Sequence, residues 1–121
     1  MMPTAEYIAG FFDGEGLVGL YYAKRDSRWC PEVAITQKSD SRTMLLMRRI
    51  AERYHAKVKY VNGGYLALSI RRKDRVREFI RDVLPFCTVK HTQLLVLDAW
   101  LETGTYSYRT AQLLKTLKRR A

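Results

Sequence analysis

The chain has 121 residues, 47% of them apolar and 28% charged, which suits one folded domain and excludes a disordered one. Twenty-two Lys and Arg against twelve Asp and Glu leave a formal charge of +10, so an anionic partner is expected, either nucleic acid or an acidic membrane surface. The membrane is the weaker reading: no apolar run approaches the roughly 18 residues of a spanning helix, and residues 1–6 lack the basic start and apolar stretch of a signal peptide.

Along the chain, Tyr7, Ile8, Phe11 and Phe12 have helical spacing over residues 5–13, and Gly14 and Gly16 are expected to stop that helix. Residues 17–24 and 32–38 are rich in β-branched and aromatic types, with the polar stretch 25–28 as a hairpin turn. Asp40 or Ser41 can cap a second helix that carries Met44, Met47, Ile50, Ala51 and Tyr54. Residues 57–61 and 65–71 alternate strictly around Asn62-Gly63-Gly64, a hairpin whose turn calls for positive φ. A third helix presents Val76, Phe79, Ile80, Val83 and Leu84 and ends at Pro85. A fourth covers residues 91–102 up to Gly104, and a last basic segment, 110–120, aligns Leu113, Leu114 and Leu117. Cys30, Cys87, His55 and His91 stand apart from one another, which excludes a zinc site and fits reduced thiols inside a cell.

Two strand pairs, each followed by a helix, predict an α+β domain of αββαββα order. Its four-stranded antiparallel sheet is covered by helices on one side only. Alternation sends Val18, Leu20, Tyr22, Val33, Ile35, Val58, Tyr60, Leu66, Leu68 and Ile70 toward the helices. The open face then collects Arg25, Lys38, Lys57, Lys59 and Arg71, with Tyr21, Tyr65 and Ser69. Such residues can be ordinary solvated side chains. Positive charge repeating on every strand, with aromatic rings among it, favours a saddle for nucleic acid, because a β-ribbon fits the major groove of B-DNA.

The most informative stretch is Ile8-Ala9-Gly10-Phe11-Phe12-Asp13-Gly14-Glu15-Gly16. Carboxylates are disfavoured at helix C-termini, so Asp13 and Glu15 at that end either serve the turn and solvent or await a cation. Gly10 and Gly14 cost helix stability and leave bare backbone on one face, where a second helix can approach closely.

This nine-residue stretch resembles the motif of the LAGLIDADG homing endonucleases in their single-motif, homodimeric form. Residues 34–38 (Ala-Ile-Thr-Gln-Lys) and 85–93, with Lys90-His91-Thr92-Gln93, resemble two further segments of that family, and the likeness spans about residues 4–102. The segment 105–121 is then a short basic helical tail on a single domain covering residues 1–121. The resemblance implies a site-specific double-strand DNA endonuclease, intron-encoded and intracellular, in cytoplasm, nucleoid or an organelle matrix. It implies hydrolysis at a long pseudo-palindromic target with 3′ overhangs. Carried over residue by residue, Glu15 is the metal ligand with the Gly14 carbonyl as a second. Gln37 orients a water, and Lys90 offsets charge on the phosphate or the water. The cofactor implied is Mg²⁺, with Mn²⁺ or Ca²⁺ as substitutes, and no small-molecule cofactor. Ile8, Gly10, Phe11, Asp13 and Gly14 form the dimer interface, with Asp13 closing the motif helix. Tyr21, Arg25, Lys38, Lys57, Lys59, Tyr65, Ser69 and Arg71 are the DNA-contact candidates, and these come from strand alternation alone. The last motif acid is Glu15, where Asp is commoner. The alternative reading is a member that does not cut, either an RNA maturase or a DNA-binding regulator.

Overall fold

Thr4 starts the first helix in the way its side chain allows, its hydroxyl oxygen accepting the Tyr7 N–H at 3.1 Å. Helix α1 runs over Ala5–Glu15 in the computed structural model, which describes residues 2–120. Gly14 therefore does not stop it. The helix ends at Gly16, whose N–H donates to the Phe12 carbonyl, and a Cβ there would collide with the Phe12 ring and carbonyl. This close approach makes Gly16 the real boundary.

Strand β1 (Gly16–Ala23) pairs antiparallel with β2 (Arg28–Lys38), joined by a turn in which Ser27 has φ +51°. Asp40 caps α2 (Ser41–Arg53) by accepting the Thr43 N–H at 2.8 Å. Strands β3 (Lys57–Val61) and β4 (Tyr65–Ile70) form the second hairpin, with Gly63 and Gly64 supplying the positive φ its turn needs. Helix α3 (Lys73–Val83) tightens into a 3-10 turn at Leu84–Phe86, where Pro85 ends the α-helical ladder. Helix α4 (His91–Thr103) stops at left-handed Gly104, and α5 (Ser107–Arg120) follows. No described helix is long and apolar enough to cross a membrane.

The strand order is β1-β2-β4-β3, all antiparallel, so the two hairpins join through β2 and β4 and leave β1 and β3 at the edges. This is the expected α+β sheet with helices against one face. Val18, Leu20, Val33, Ile35, Leu66, Leu68 and Ile70 are buried under Ile8, Phe12, Met47, Ile50, Phe79 and Leu94. The Phe79 ring meets Phe12 and Tyr54 edge-on at 5.0 and 5.2 Å. Tyr54 closes this layer by donating its hydroxyl to Asp82 at 2.7 Å.

Four expectations fail at the margins. Tyr60 and Tyr22 lie on the helix-facing side but are exposed, Tyr60 by 72%, because the helices do not reach these ends of the edge strands. Val58 is only half-buried for the same reason. The last segment is more than a tail: α5 begins at Ser107, whose hydroxyl accepts the Trp100 indole N–H at 2.8 Å, and it sinks Ala111 and Leu114 into the core. Leu113, expected to align with Leu114, is exposed instead.

Candidate active site and nucleic-acid interface

Asp13 and Glu15 sit two residues apart in the last turn of α1, a turn with no basic residue. The chain gives them opposite surroundings. Asp13 Oδ2 accepts the Thr88 N–H at 2.7 Å and Oδ1 accepts the Lys90 N–H at 3.0 Å. Burial pushes this carboxyl up, but the backbone donors, Thr88 first and then Lys90 and Val89, outweigh it and hold the group below its ordinary value. Cys87 lies beneath, its thiol pushed up to about 12 by burial and by the Asp13 charge, so it stays protonated. The thiol donates to the Ala9 carbonyl at 3.7 Å. Asp13 therefore fastens α1 to the segment leading into α4. The helix runs two residues past it, so Asp13 does not close the helix, and its carboxylate is spent inside the protomer rather than on an interface.

Glu15 is exposed, and its side chain makes no hydrogen bond or ion pair among the described residues. Gly14 leaves its carbonyl among those that have no helical N–H to receive. An acid at the negative end of a helix with no compensating cation is a fit for a metal ion with oxygen ligands. Mg²⁺ keeps several waters and needs few protein carboxylates, which matches one Glu and one carbonyl. Among the described residues no three His, Cys, Asp or Glu side chains gather into a metal cluster. A cation here would rest on Glu15, Gly14 and groups from outside the chain.

Strand register brings Gln37, and the Asp13 hydrogen bond brings Lys90, to the end of the sheet where α1 stops. Gly16 pairs with Ile35, so Gln37 lies two residues beyond the partner of the residue that follows Glu15. Gln37 shares the helix-facing side with Val33 and Ile35, and its Oε1 accepts the Lys38 N–H at 3.0 Å. Lys90 is the N-cap residue of α4, half-buried, its backbone held by Asp13. Sequence reasoning missed the link from Asp13 to Lys90, which spans 77 positions and leaves no local signal.

Of the expected interface residues, Ile8 is wrong: it is 0% exposed and belongs to the protomer's own core. The free stripe on α1 is Tyr7, Gly10, Phe11 and Gly14, spaced i, i+3, i+4, i+7. Tyr7, 59% exposed, belongs to this stripe and not to the core. A Cβ built at Gly10 or Gly14 meets nothing within 4 Å, so that surface is open.

No family model matches the chain, and no curated protein does. Solved structures do. The homing endonuclease I-CvuI, in complex with the I-CreI target in the presence of Mg and with the DNA not cleaved, superposes with TM-score 0.80 at 13% identity over 93% of this chain and 80% of that one. The archaeal intron-encoded homing endonuclease I-Vdi141I, complexed with DNA, gives 0.68 at 20% identity over 97% and 83%. The I-SmaMI LAGLIDADG homing endonuclease bound to cleaved DNA gives 0.68 at 14% identity, with 95% of this chain matching 41% of that one. The chain has the LAGLIDADG homing endonuclease fold.

On the open face of this LAGLIDADG sheet, the register aligns Lys57 with Ser69, Lys59 with Ala67, and Lys38 with Tyr65. Tyr21 pairs with Cys30 across β1 and β2. Arg71 stands one residue past β4, opposite Glu32, to which its Nε donates at 2.9 Å. Two corrections follow. Arg25 lies in the β1–β2 turn and not on a strand face, so β1 itself contributes no cation to the open face. Arg28, opposite Ala23, takes that place from β2 and was not foreseen, because the strand begins four residues earlier than its β-rich run.

Proposed function

We propose that two copies of this chain form a twofold homodimer that cuts both strands of a long, partly palindromic DNA duplex, hydrolysing one phosphodiester per strand with a divalent cation and leaving 3′ overhangs. The observation that carries this reading is the unpartnered Glu15 at the end of α1, beside a cationic sheet and an anchored Lys90. One Glu15 per chain supplies one acidic site, so cutting two strands calls for two protomers. The open stripe of Tyr7, Gly10, Phe11 and Gly14 is where their α1 helices would meet. The DNA complexes formed by I-CvuI and I-Vdi141I, whose fold this chain shares, support a duplex as the partner.

Glu15 and the Gly14 carbonyl would hold the cation, which would supply positive charge to acidify water and steady the attacking and leaving oxygens. The chain's own residues do the rest. The Gln37 amide orients the attacking water toward phosphorus. The Lys90 ammonium faces the phosphate and offsets the charge that builds on its oxygens, a preorganised stabilisation that needs no rearrangement. Asp13 holds the Lys90 backbone in place for this. Lys38, Lys57 and Lys59 keep the duplex on the sheet through its phosphates.

Incubation with Mg²⁺ and a pool of randomised duplexes tests the proposal. Discrete double-strand cutting at one recurring, partly palindromic sequence is expected. Selective retention of one sequence with no cutting, at any divalent cation tried, would leave a DNA-binding regulator in its place.

A further inference from the structure

The sheet face that meets DNA in the proposed function carries one acidic residue at its described strand positions, Glu32. An acid there opposes the phosphates and subtracts from the electrostatic attraction that Lys57, Lys59 and Lys38 provide. It is also an unusually enclosed one: its side chain is 14% exposed, against 59% for the Arg71 it holds. A solvated acid placed only for solubility would not be packed into the sheet.

The contact is specific in form. Arg71 donates from Nε alone to Glu32, at 2.9 Å, and its terminal amino groups make no hydrogen bond among the described residues. The guanidinium carbon lies 5.9 Å from the centre of the Tyr21 ring, within cation–π range. The register explains why these three meet: Val33 pairs with Ile70, so the next residues, Glu32 and Arg71, face each other, and Tyr21 stands two positions along β1 from Gly19, the partner of Glu32. A Cβ built at Gly19 meets nothing within 4 Å, so the space beside the pair is open. An arginine fixed through Nε with a ring beside it keeps its terminal donors free, the fork that matches the two acceptors of guanine, O6 and N7, in the major groove.

We infer that Arg71 reads a guanine in the major groove of each half-site and that Glu32 is its positioning residue, with the Tyr21 ring as the backstop. The inference rests on the chain's binding a specific duplex, as proposed above. Glu32 trades affinity for selectivity: it restrains an arginine that would otherwise swing to the nearest phosphate. The row lies three residues along β1 from Gly16, about 10 Å from the catalytic end, so the guanine sits outward from the cut and not over it.

The test is selection from randomised duplexes by the full-length chain and by Glu32→Ala, Glu32→Gln and Arg71→Lys, each checked for the parent melting temperature. The parent is expected to select guanine at one symmetry-related pair of positions. Arg71→Lys keeps the charge but not the fork, and should lose roughly 5- to 150-fold of the preference there and nowhere else. Glu32→Ala should relax the same position while tightening binding to unrelated duplexes, a pairing of effects that a merely structural residue would not give. Glu32→Gln retains an acceptor for Nε and should restore most of the preference. A Glu32→Ala chain with unchanged base preferences, or one that loses a cytosine preference instead, overturns the assignment while leaving specific DNA binding intact. A parent chain that selects no sequence overturns the DNA reading itself.

Discussion

The inner and outer sides of the α1 terminus carry the same functional group and use it in opposite ways. On the inner side both oxygens of Asp13 are taken by backbone N–H groups of residues 88–90. On the outer side Glu15 has no partner among the described residues. A carboxylate with its lone pairs satisfied is a structural fastening; one left unpaired at the negative end of a helix sits against an unfavourable dipole and is open to a cation, as the proposed function requires. If the proposed function holds, the contrast separates what builds the site from what acts in it, and each of four variants presses on it.

Glu15→Gln should have the largest effect. It removes charge without changing size, so cleavage should fall by orders of magnitude while duplex affinity and melting temperature stay at parent values. Gel analysis of product together with a thermal melt checks both halves; cleavage at near the parent rate would mean the acid is idle.

Gly10→Leu comes next and is aimed at the proposed contact between protomers. The space above Gly10 is open within one chain, and leucine favours helix by roughly 1 kcal/mol over glycine. The monomer should therefore fold at least as well, while overpacking at a close helix contact, typically about 1–3 kcal/mol, is incurred by both partners. Sedimentation should show monomer with weak half-site binding and no double-strand breaks. A stable, cutting dimer would place the interface elsewhere.

Asp13→Ala should lower stability by about 1–3 kcal/mol, on the order of what hydrogen bonds to a charged group contribute, and slow cleavage through a loosened Lys90. The pH dependence has a defined sign. The folded Asp13 carboxyl is held below its unfolded value of about 3.9 by the Thr88 and Lys90 N–H groups, against burial, which raises it. Its contribution is complete above that unfolded value and disappears as pH falls through the lower folded one. Denaturant melts between pH 5 and acid should show a steeper loss for the parent than for Asp13→Asn, and parallel curves would remove Asp13 as a fastening.

The smallest effect is expected from the pair Lys57→Ala and Lys59→Ala, on the edge strand β3. Fold and catalytic rate on bound DNA should persist, while the log–log salt slope of a dimer drops by about 3.6 if all four cations touch phosphates. An unchanged slope and unchanged selectivity would put these lysines off the DNA.

Much of this was legible in the sequence, for reasons that differ by residue. The period-two pattern of residues 65–70 placed Leu66, Leu68 and Ile70 in the core, because a strand has no freedom in which face a residue takes. The motif helix was visible, but its end was misplaced at Gly14, since glycine lowers helix stability without forbidding helix; the stop came from Gly16 packing on Phe12, a tertiary contact. Ile8 and Tyr7 are adjacent apolar residues, and only the direction of the core decides which is buried and which is free. The outward acid Glu15 could be singled out from local pattern, whereas the partners of Asp13 lie 75 and 77 residues away. The pairing of Arg71 with Glu32 likewise depends on which strands neighbour each other, and the order β1-β2-β4-β3 is not written in either hairpin alone.

The claim that each protomer supplies one acid for one strand is tested most directly by a mixed dimer. Differently tagged parent and Glu15→Gln chains would be co-expressed, the heterodimer isolated by both tags, and a selected duplex incubated with it and Mg²⁺. The account predicts that this dimer nicks a single strand, whereas the parent dimer cuts both. Double-strand cutting by the heterodimer would contradict it.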